Sequence, residues 1–551
     1  MKSLQEIYAR AVDDHRAGRL REAAAGYSAV VNAEPGAWEA LMMLGLVTFQ
    51  LGESSKAVDL LRRAVELAPQ NASCHANLGM ALGAAGRFIE AEAALRRALE
   101  LDGRRGDAWN YLGDALMHTG RLEEAIACFR RSLDVRPDAA VGSKLLIVLH
   151  CHPDSTPASL LEEHVRWDET YARPVAGSAA NFRLSRPREG PLKVGYVSPV
   201  LSQNPVGRFL LPLLMNHDRA KFSASCYTDT PATDPLAGQL REAAYAWRCT
   251  AGMDNASVAE MIRADQIDVL VDLAAHSEGN RLLAFARRAA PVQVTWLSYC
   301  STTGLKEMDY RLTDPFLDPP GMGVGNYSEK TVWLPRTYWC YPAHGNVPDV
   351  GALPAESVGQ VTFGCLCNFV KITVPTLGMW CQVLRAVPGA RLVLSVQHDD
   401  QRKVIAGAFA GAGINVGRIE FLPAMPLAEY FKVYGQIDVA LDAFPYPGGT
   451  TTCDALCMGV PVVTLPGMTA VSRAGVSLLN NVGLGELVAG SAGEYVEIAA
   501  GLARDVERLK AIRAGLRGRM LKSPVMDGAA FARGMEDAFI RMWMEKSGGG
   551  E

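Results

Sequence analysis

The chain has 551 residues, 49% of them hydrophobic and 21% charged, with a formal net charge of −4. That length calls for more than one domain, and the composition is globular. The near-neutral balance, without a long basic run, argues against a nucleic-acid binder, and no uninterrupted apolar stretch reaches the ~18 residues of a membrane span. The opening MKSLQEIYAR lacks the apolar segment of a secretory signal. Twelve cysteines are scattered along the chain, with Cys226, Cys365, Cys367 and Cys381 inside apolar runs. That usage fits buried free thiols in a reducing compartment, so a cytoplasmic location is expected. The pairs Cys365/Cys367 and Cys453/Cys457 lack a second pair of metal ligands and read as structural.

The first third is periodic. Gly18, Gly52, Gly86 and Gly120 are each 34 residues apart, as are Ala23, Ala57, Ala91 and Ala125. Pro35, Pro69 and Pro137 keep the same register, with Gly103 in the remaining slot, and Gly45, Gly79 and Gly113 add a fourth ladder. A period of this length with paired helical patterns is the tetratricopeptide signature. The turn glycine ends the first helix, the alanine lets the second approach it, and the proline stops the second. Such hairpins bury their apolar faces only by stacking. About four hairpins are predicted to residue ~138, with capping helices to ~172. The concave face of such an array binds a polypeptide; the other reading is a spacer or dimerisation arm, which would make a homodimer. Arg62-Arg63, Arg96-Arg97 and Arg130-Arg131 recur at the same period and are expected on a solvated outer stripe.

Residues 173–190, RPVAGSAANFRLSRPREG, read as a linker. Beyond it, short apolar runs alternate with helical stretches. Lys193–Ser198, Phe222–Thr228, Ile267–Leu273 and Val292–Leu297 are predicted strands of one lobe, 191–345. Val361–Cys365, Arg391–Val396, Arg418–Leu422, Ile437–Leu441 and Val460–Thr464 are those of a second, 346–551, with Gly345–Gln360 an irregular link between them. Near-continuous apolar strands of this length suit parallel sheets covered on both faces. Two Rossmann-like halves are expected, with ligands beyond the carboxyl ends of the strands.

The stretch LDAFPYPGGTTTCDALCMGVPVVT, residues 441–464, stands at such an end. Gly448 and Gly449 let backbone approach a ligand closely. Thr450, Thr451 and Thr452 open a short predicted helix, where N–H groups and the dipole favour an anion. Asp454, in its first turn, is placed to accept from a sugar hydroxyl. An ordinary strand–loop–helix with a threonine cap has the same local pattern. No complete Gly-x-Gly-x-x-Gly opens either half, and no Asp-x-Asp triplet occurs. Nicotinamide and flavin readings are weakened, and the usual metal clamp of metal-dependent sugar-nucleotide enzymes is missing.

Together these pieces resemble the O-linked N-acetylglucosamine transferase family, in its bacterial, SPINDLY-like branch. The resemblance rests on KVGYVS at 193–198, DVLVDLAAHSEGNRLLAFARRAAPVQVTWL at 268–297 and TTGLKEMDYRLTD at 302–314. VTFGCLCNFVKI at 361–372, DVALDAFPYPGGTTTCDALCMGVPVVTL at 438–465 and SRAG at 472–475 extend it. It implies an α + α/β protein, a tetratricopeptide superhelix followed by a GT-B glycosyltransferase of two Rossmann-like lobes. It implies inverting, metal-independent transfer of a sugar from a nucleotide donor to Ser or Thr of a protein held by the repeats, with no other cofactor. By the same resemblance Lys371 contacts the donor diphosphate and stabilises the leaving group. Asn368, Gly448, Gly449, Thr450, Thr451 and Asp454 contact the donor, Asp454 through its ribose. Tyr430 and Arg473 are further donor-site positions, with a structural role for Arg473 equally open.

This chain departs from the pattern at several places. Asn204 stands where relatives usually have histidine, and asparagine is no base near neutral pH. Val200 replaces an acidic residue, Tyr430 a histidine, and Ser298, Cys300 and Ser301 replace Gly, Pro and Gly. His276 is retained as a cleft candidate. Of the repeat asparagines that grip an acceptor backbone in some relatives, only Asn77 remains, with Met43 and Tyr111 in the flanking slots. Three readings stay open: transfer of N-acetylglucosamine from its UDP donor, the same reaction with another nucleotide sugar such as fucose or an acidic nine-carbon sugar, including on flagellin, and an inactive repeat-based scaffold.

Overall fold

The computed structural model describes residues 3–176, 182, 190–231, 233–342 and 347–548. The expected linker therefore lies outside the described residues except for Arg173–Ala176, which is helical, Phe182 and Gly190; Gly345, at the start of the expected link, lies outside them too. The chain divides into two compact units, Met1–Val148 with Val396–Ala408, and Leu149–Ser395 with Phe409–Glu551.

The first unit carries four helical hairpins. Their helices are α1 (Leu4–Arg16), α2 (Leu20–Ala33), α3 (Trp38–Gln50), α4 (Ser54–Leu67), α5 (Ala72–Ala84), α6 (Phe88–Leu101), α7 (Gly106–Met117) and α8 (Leu122–Val135). Each glycine ladder has a separate physical cause. Gly18, Gly52, Gly86 and Gly120 take φ of +73°, +84°, +74° and +77°, the left-handed turn that ends a helix. Gly45, Gly79 and Gly113 are close-approach sites instead. A Cβ there would lie 2.6, 2.4 and 2.6 Å from Leu61 Cγ, Leu95 Cγ and Phe129 Cε1 of the paired helix. Ala23, Ala57, Ala91 and Ala125 are fully buried on the second helices.

The arginine pairs form a ladder of surface ion pairs, Arg62 to Glu90 at 2.6 Å, Arg96 to Glu92 at 2.8 Å and Arg97 to Glu100 at 2.9 Å. Val396–Ala408 belongs to this unit through Asp400, whose Oδ2 accepts from the Ile89 N–H at 3.1 Å, and through the His398 ring against Phe88.

Overpacking at a close-approach site costs about 1–3 kcal/mol. Gly79→Ala should therefore lower the melting temperature of the protein. Gly83→Ala in the same helix meets nothing within 4 Å, and should leave stability unchanged or raise it by up to about 1 kcal/mol. Differential scanning calorimetry of the two variants checks the contrast.

The second unit begins within α9 (Ala139–Cys151) and takes in α10 (Pro157–Trp167), rather than leaving both helices with the repeats. The reason is close packing of α10 on the residues after a sheet strand. A Cβ on Gly304 would lie 2.4 Å from the His164 carbonyl, and His164 Nε2 lies 3.1 Å from the Tyr299 hydroxyl.

Two parallel sheets follow. The first contains β1 (Leu192–Val197), β2 (Phe222–Thr228), β3 (Ala246–Cys249), β4 (Val269–Asp272), β5 (Val292–Thr295), β6 (Tyr310–Thr313) and β7 (Lys330–Trp333), in the order β3-β2-β1-β4-β5-β6-β7. The second contains β8 (Thr362–Cys365), β9 (Arg391–Ser395), β10 (Ile419–Leu422), β11 (Val439–Leu441) and β12 (Val462–Val463), ordered β10-β9-β8-β11-β12. Both are doubly wound, reversing direction between β1 and β4 and between β8 and β11. The C-terminal helix Gly528–Lys546 crosses back to the first lobe, where Glu536 accepts from the Asp218 N–H at 2.8 Å. Among the described residues no helix is long and apolar enough to cross a membrane. All twelve cysteines are free thiols and only Cys249 is exposed.

Candidate active site

The reversal of strand order places the loops after β8 and β11 side by side, which is where doubly wound sheets bind ligands. The first loop supplies Asn368 and Lys371. Asn368 is exposed, and its Oδ1 accepts from the Val370 N–H at 3.1 Å, capping the short turn Phe369–Lys371. Thr373 then opens the helix Val374–Ala386 and fastens it to the second loop, its hydroxyl donating to the Phe444 carbonyl at 2.6 Å. The Thr376 hydroxyl lies 2.9 Å from both the Phe444 nitrogen and its carbonyl oxygen. With the loops pinned together, Lys371 Nζ donates to the Pro447 carbonyl at 2.9 Å and sits 3.9 Å above the Tyr446 ring.

The second loop is shaped from beneath by Asp442. Its Oδ1 accepts from the Gly448 N–H at 2.6 Å and its Oδ2 from the Thr464 hydroxyl at 3.0 Å. Burial pushes the Asp442 carboxyl up to about 6, opposed by these hydrogen bonds and by the Lys371 charge. Glycine at 448 lets the loop pack closely, because a Cβ would fall 2.4 Å from the Thr451 hydroxyl and 2.6 Å from that of Thr452. Gly449 precedes the helix Thr450–Cys457 with no side-chain cap, and the first intrahelical bond runs from the Cys453 N–H to the Gly449 carbonyl at 3.0 Å. The N–H groups of Thr450, Thr451 and Thr452 thus form the positive end of the helix, close in sequence to the carbonyl that holds Lys371. An ammonium beside a helix N-terminus is chemistry for an anion such as a diphosphate.

The raised Asp442 has a consequence for stability. Folding favours its protonated form, so its contribution is fully present below the unfolded value near 4 and is lost as pH rises through about 6. A carboxyl lifted that far corresponds to about 3 kcal/mol. Relative to wild type, Asp442→Asn should gain that much stability between pH 4 and pH 7, as read by urea denaturation across the range. Asp272, at the end of β4 and also pushed up to about 6 by burial, keeps its own slope in both proteins.

The remaining expected residues are placed differently from one another. Asp454 is 1% exposed, and its carboxylate accepts from Arg208, Tyr341 and Tyr430. Tyr430 is half-buried, its hydroxyl 2.8 Å from that of Tyr434 and 3.0 Å from Asp454 Oδ2. Arg473 donates through Nε to the Phe316 and Leu317 carbonyls, both at 3.1 Å, tying the second lobe to the first. Asn204 is the N-cap of the helix Pro205–Asn216, its Oδ1 accepting from the Gly207 N–H at 2.8 Å. His276, the other residue expected in the cleft, lies beneath the surface. It is 1% exposed, 2.7 Å from the Thr303 carbonyl through Nε2, and packed against His164 and Trp167. Burial holds its imidazole well below the usual range, so the ring is neutral. In the repeats, Asn77 is half-buried on α5, with Met43 on α3 and Tyr111 on α7 in the equivalent places.

Sequence reasoning missed Arg208, Tyr341 and Tyr446. Arg208 carried a usable signal, a single charge in the apolar run VGRFLLPLL, since a charge on a buried helix face needs a partner.

Comparison with known proteins bears on this site. The model of glycosyl transferase family 41 matches residues 178–347 and 352–535, and a tetratricopeptide repeat model matches 8–72 and 77–140. The probable UDP-N-acetylglucosamine–peptide N-acetylglucosaminyltransferase SPINDLY of Oryza sativa subsp. japonica is 37% identical over 420 residues, 74% of this chain and 45% of that protein. The Arabidopsis thaliana protein of the same name is 36% identical over 418 residues, 74% of this chain and 46% of its own length. The chain thus spans a little under half the length of these relatives. A solved structure of a Thermobaculum terrenum O-GlcNAc transferase mutant aligns with a TM-score of 0.82 at 35% identity, covering 93% of this chain and 98% of that one. The chain therefore belongs to glycosyl transferase family 41, with tetratricopeptide repeats preceding the glycosyltransferase lobes.

Proposed function

We propose that this protein is an inverting, metal-independent O-glycosyltransferase that moves N-acetylglucosamine from UDP-N-acetylglucosamine to Ser or Thr hydroxyls of a cytoplasmic protein held by the repeats. The observation that carries the reading is the Lys371 ammonium on the Pro447 carbonyl, beside the uncapped N-terminus of the helix Thr450–Cys457. The names of the relatives support both donor and acceptor class. In the reaction the acceptor oxygen bonds to the anomeric carbon as the bond from that carbon to the phosphate oxygen breaks. The hydroxyl proton passes to a donor phosphate oxygen, so no protein base is required. Lys371 and the helix N–H groups neutralise the charge gathering on the departing diphosphate, the kind of stabilisation that is often the largest catalytic contribution.

One observation favours a second donor. Tyr430 presents a phenol, rather than an imidazole, beside Asp454, which suits a reshaped sugar pocket and another nucleotide sugar. A thermal-shift screen with UDP, GDP and CMP and their sugar conjugates separates the readings, because a ligand that binds only the native state raises the melting temperature. A shift with UDP and UDP-N-acetylglucosamine supports the proposal, and one confined to GDP or CMP conjugates supports the second donor. No shift with any of them replaces both with a repeat-based scaffold.

A further inference from the structure

A cavity of about 370 Å³ opens where the chain leaves β7, and no residue of the loops after β8 and β11 lines it. That is the size of a small-ligand site. Three segments form its walls: residues 334–337 after β7, the end of the helix Val506–Lys522 with the turn that follows it, and the opening turns of the helix Gly528–Lys546. Contacts outside the cavity hold these walls in place. Gly534 lets the last helix lie against the segment after β7, since a Cβ there would fall 3.2 Å from Pro335 Cδ. Phe531 is 7% exposed and packs on Trp296, the ring centroids 5.8 Å apart. The Arg336 carbonyl accepts from Asn481 Nδ2 at 3.2 Å, and the Tyr341 N–H donates to the Val525 carbonyl at 2.7 Å. The cavity is therefore preformed.

Its chemistry is two-sided. Leu334, Pro335, Pro524 and Phe531 supply apolar surface. Arg336 and Lys522 line the same space; both are exposed, and among the described residues neither side chain has an ion-pair partner. The third charge, Asp527, is engaged at the start of its helix, where Oδ1 accepts from the Ala530 N–H at 2.9 Å. Two cations against one carboxylate leave the walls a net charge of +1. Such a space favours an anion that carries its own apolar body. The body displaces water from the apolar wall, while guanidinium and ammonium donate to the acid group. Asp527 already occupies the helix N-terminus, so side chains rather than the helix dipole select the anion. Its charge also opposes a multiply charged ligand such as a nucleotide.

We propose that this cavity is a second ligand site, separate from the nucleotide-sugar site, for a small organic monoanion with an aromatic or aliphatic body, such as a carboxylic acid.

The test uses the full chain in the presence of excess UDP and two fluorescent probes, anilinonaphthalenesulfonate and phenylnaphthylamine. They share an apolar body, and only the first carries an acid group. Wild type should bind the sulfonate at a single site and at least about tenfold more tightly than the amine, the difference expected of charge-assisted hydrogen bonds. Arg336→Gln combined with Lys522→Gln should remove that preference and leave the affinity for the amine within about twofold of wild type. Ala530→Trp, at an exposed position on the cavity wall, should abolish binding of both probes by filling the space. Circular dichroism is the folding control for both variants. Sulfonate binding that survives Ala530→Trp, or a preference for the sulfonate that survives loss of both cations, overturns the proposal. Equal affinity of wild type for the two probes overturns it as well, leaving an apolar groove without anion selectivity. The comparison between variants holds even if the protein binds no UDP, so it stands apart from the donor reading.

Discussion

Lys371→Ala should lower the rate of sugar transfer by about two to three orders of magnitude, the loss typical when a preorganised charge aimed at a leaving group is removed. The protein should remain folded. Lys371 is half-buried, and what it gives up is one hydrogen bond to Pro447 and its contact with the Tyr446 ring. Those are together worth about 1–3 kcal/mol. Lys371→Arg should recover only part of the rate, because a planar fork cannot reproduce a point charge seated on one carbonyl. The readout is initial rate against donor concentration, with circular dichroism as the folding control. An activity within about twofold of wild type would show that the leaving group is stabilised elsewhere.

Gly448→Ala should weaken nucleotide binding by about one to two orders of magnitude, while Gly449→Ala should leave it nearly intact. The two glycines are adjacent and serve different purposes. At 448 a new Cβ would overlap the hydroxyls of Thr451 and Thr452, at 2.4 and 2.6 Å, so either the threonines rotate or the loop lifts off Asp442. Overpacking of this size costs about 1–3 kcal/mol, and it falls on the segment that places the helix N–H groups. At 449 the backbone has φ −115°, open to any residue, and a Cβ meets nothing within 4 Å. Nucleotide affinity by calorimetry distinguishes the pair. Equal losses at both positions would mean that the glycines are needed for access of the ligand rather than for packing of the loop.

These expectations rest on features of uneven legibility in the sequence. The repeats were readable because two separate backbone demands, a left-handed turn and a close helix approach, each impose glycine at one period. The core strands were readable because a parallel strand buried on both faces must be apolar throughout. β3, with two exposed residues among four, and β7, exposed at both ends, lacked that signature. β6 is fully buried but carries Arg311, whose charge is met by Asp318 at 2.7 Å, a pairing no local pattern reveals. Within the site, the glycine loop followed from strand ends and loop chemistry, whereas Lys371 came only through the family resemblance, since a lone lysine after a strand is ordinarily a solvated surface residue. The partners of His276 and Asp454 were not legible, since they are distant in the chain: Thr303, His164 and Trp167 around the imidazole, and Arg208, Tyr341 and Tyr430 around the carboxylate. A helical charge pattern shows that Arg208 needs a partner but not which carboxylate supplies it.

The central claim is that Lys371 and the helix Thr450–Cys457 together cradle a diphosphate. Calorimetric titration of UDP and of uridine into wild type and Lys371→Ala tests it most directly. Wild type should prefer UDP over uridine by at least about tenfold, the equivalent of ~1.4 kcal/mol. Lys371→Ala should lose most of that preference while uridine affinity stays unchanged. Retention of the full preference for UDP in Lys371→Ala would contradict the claim.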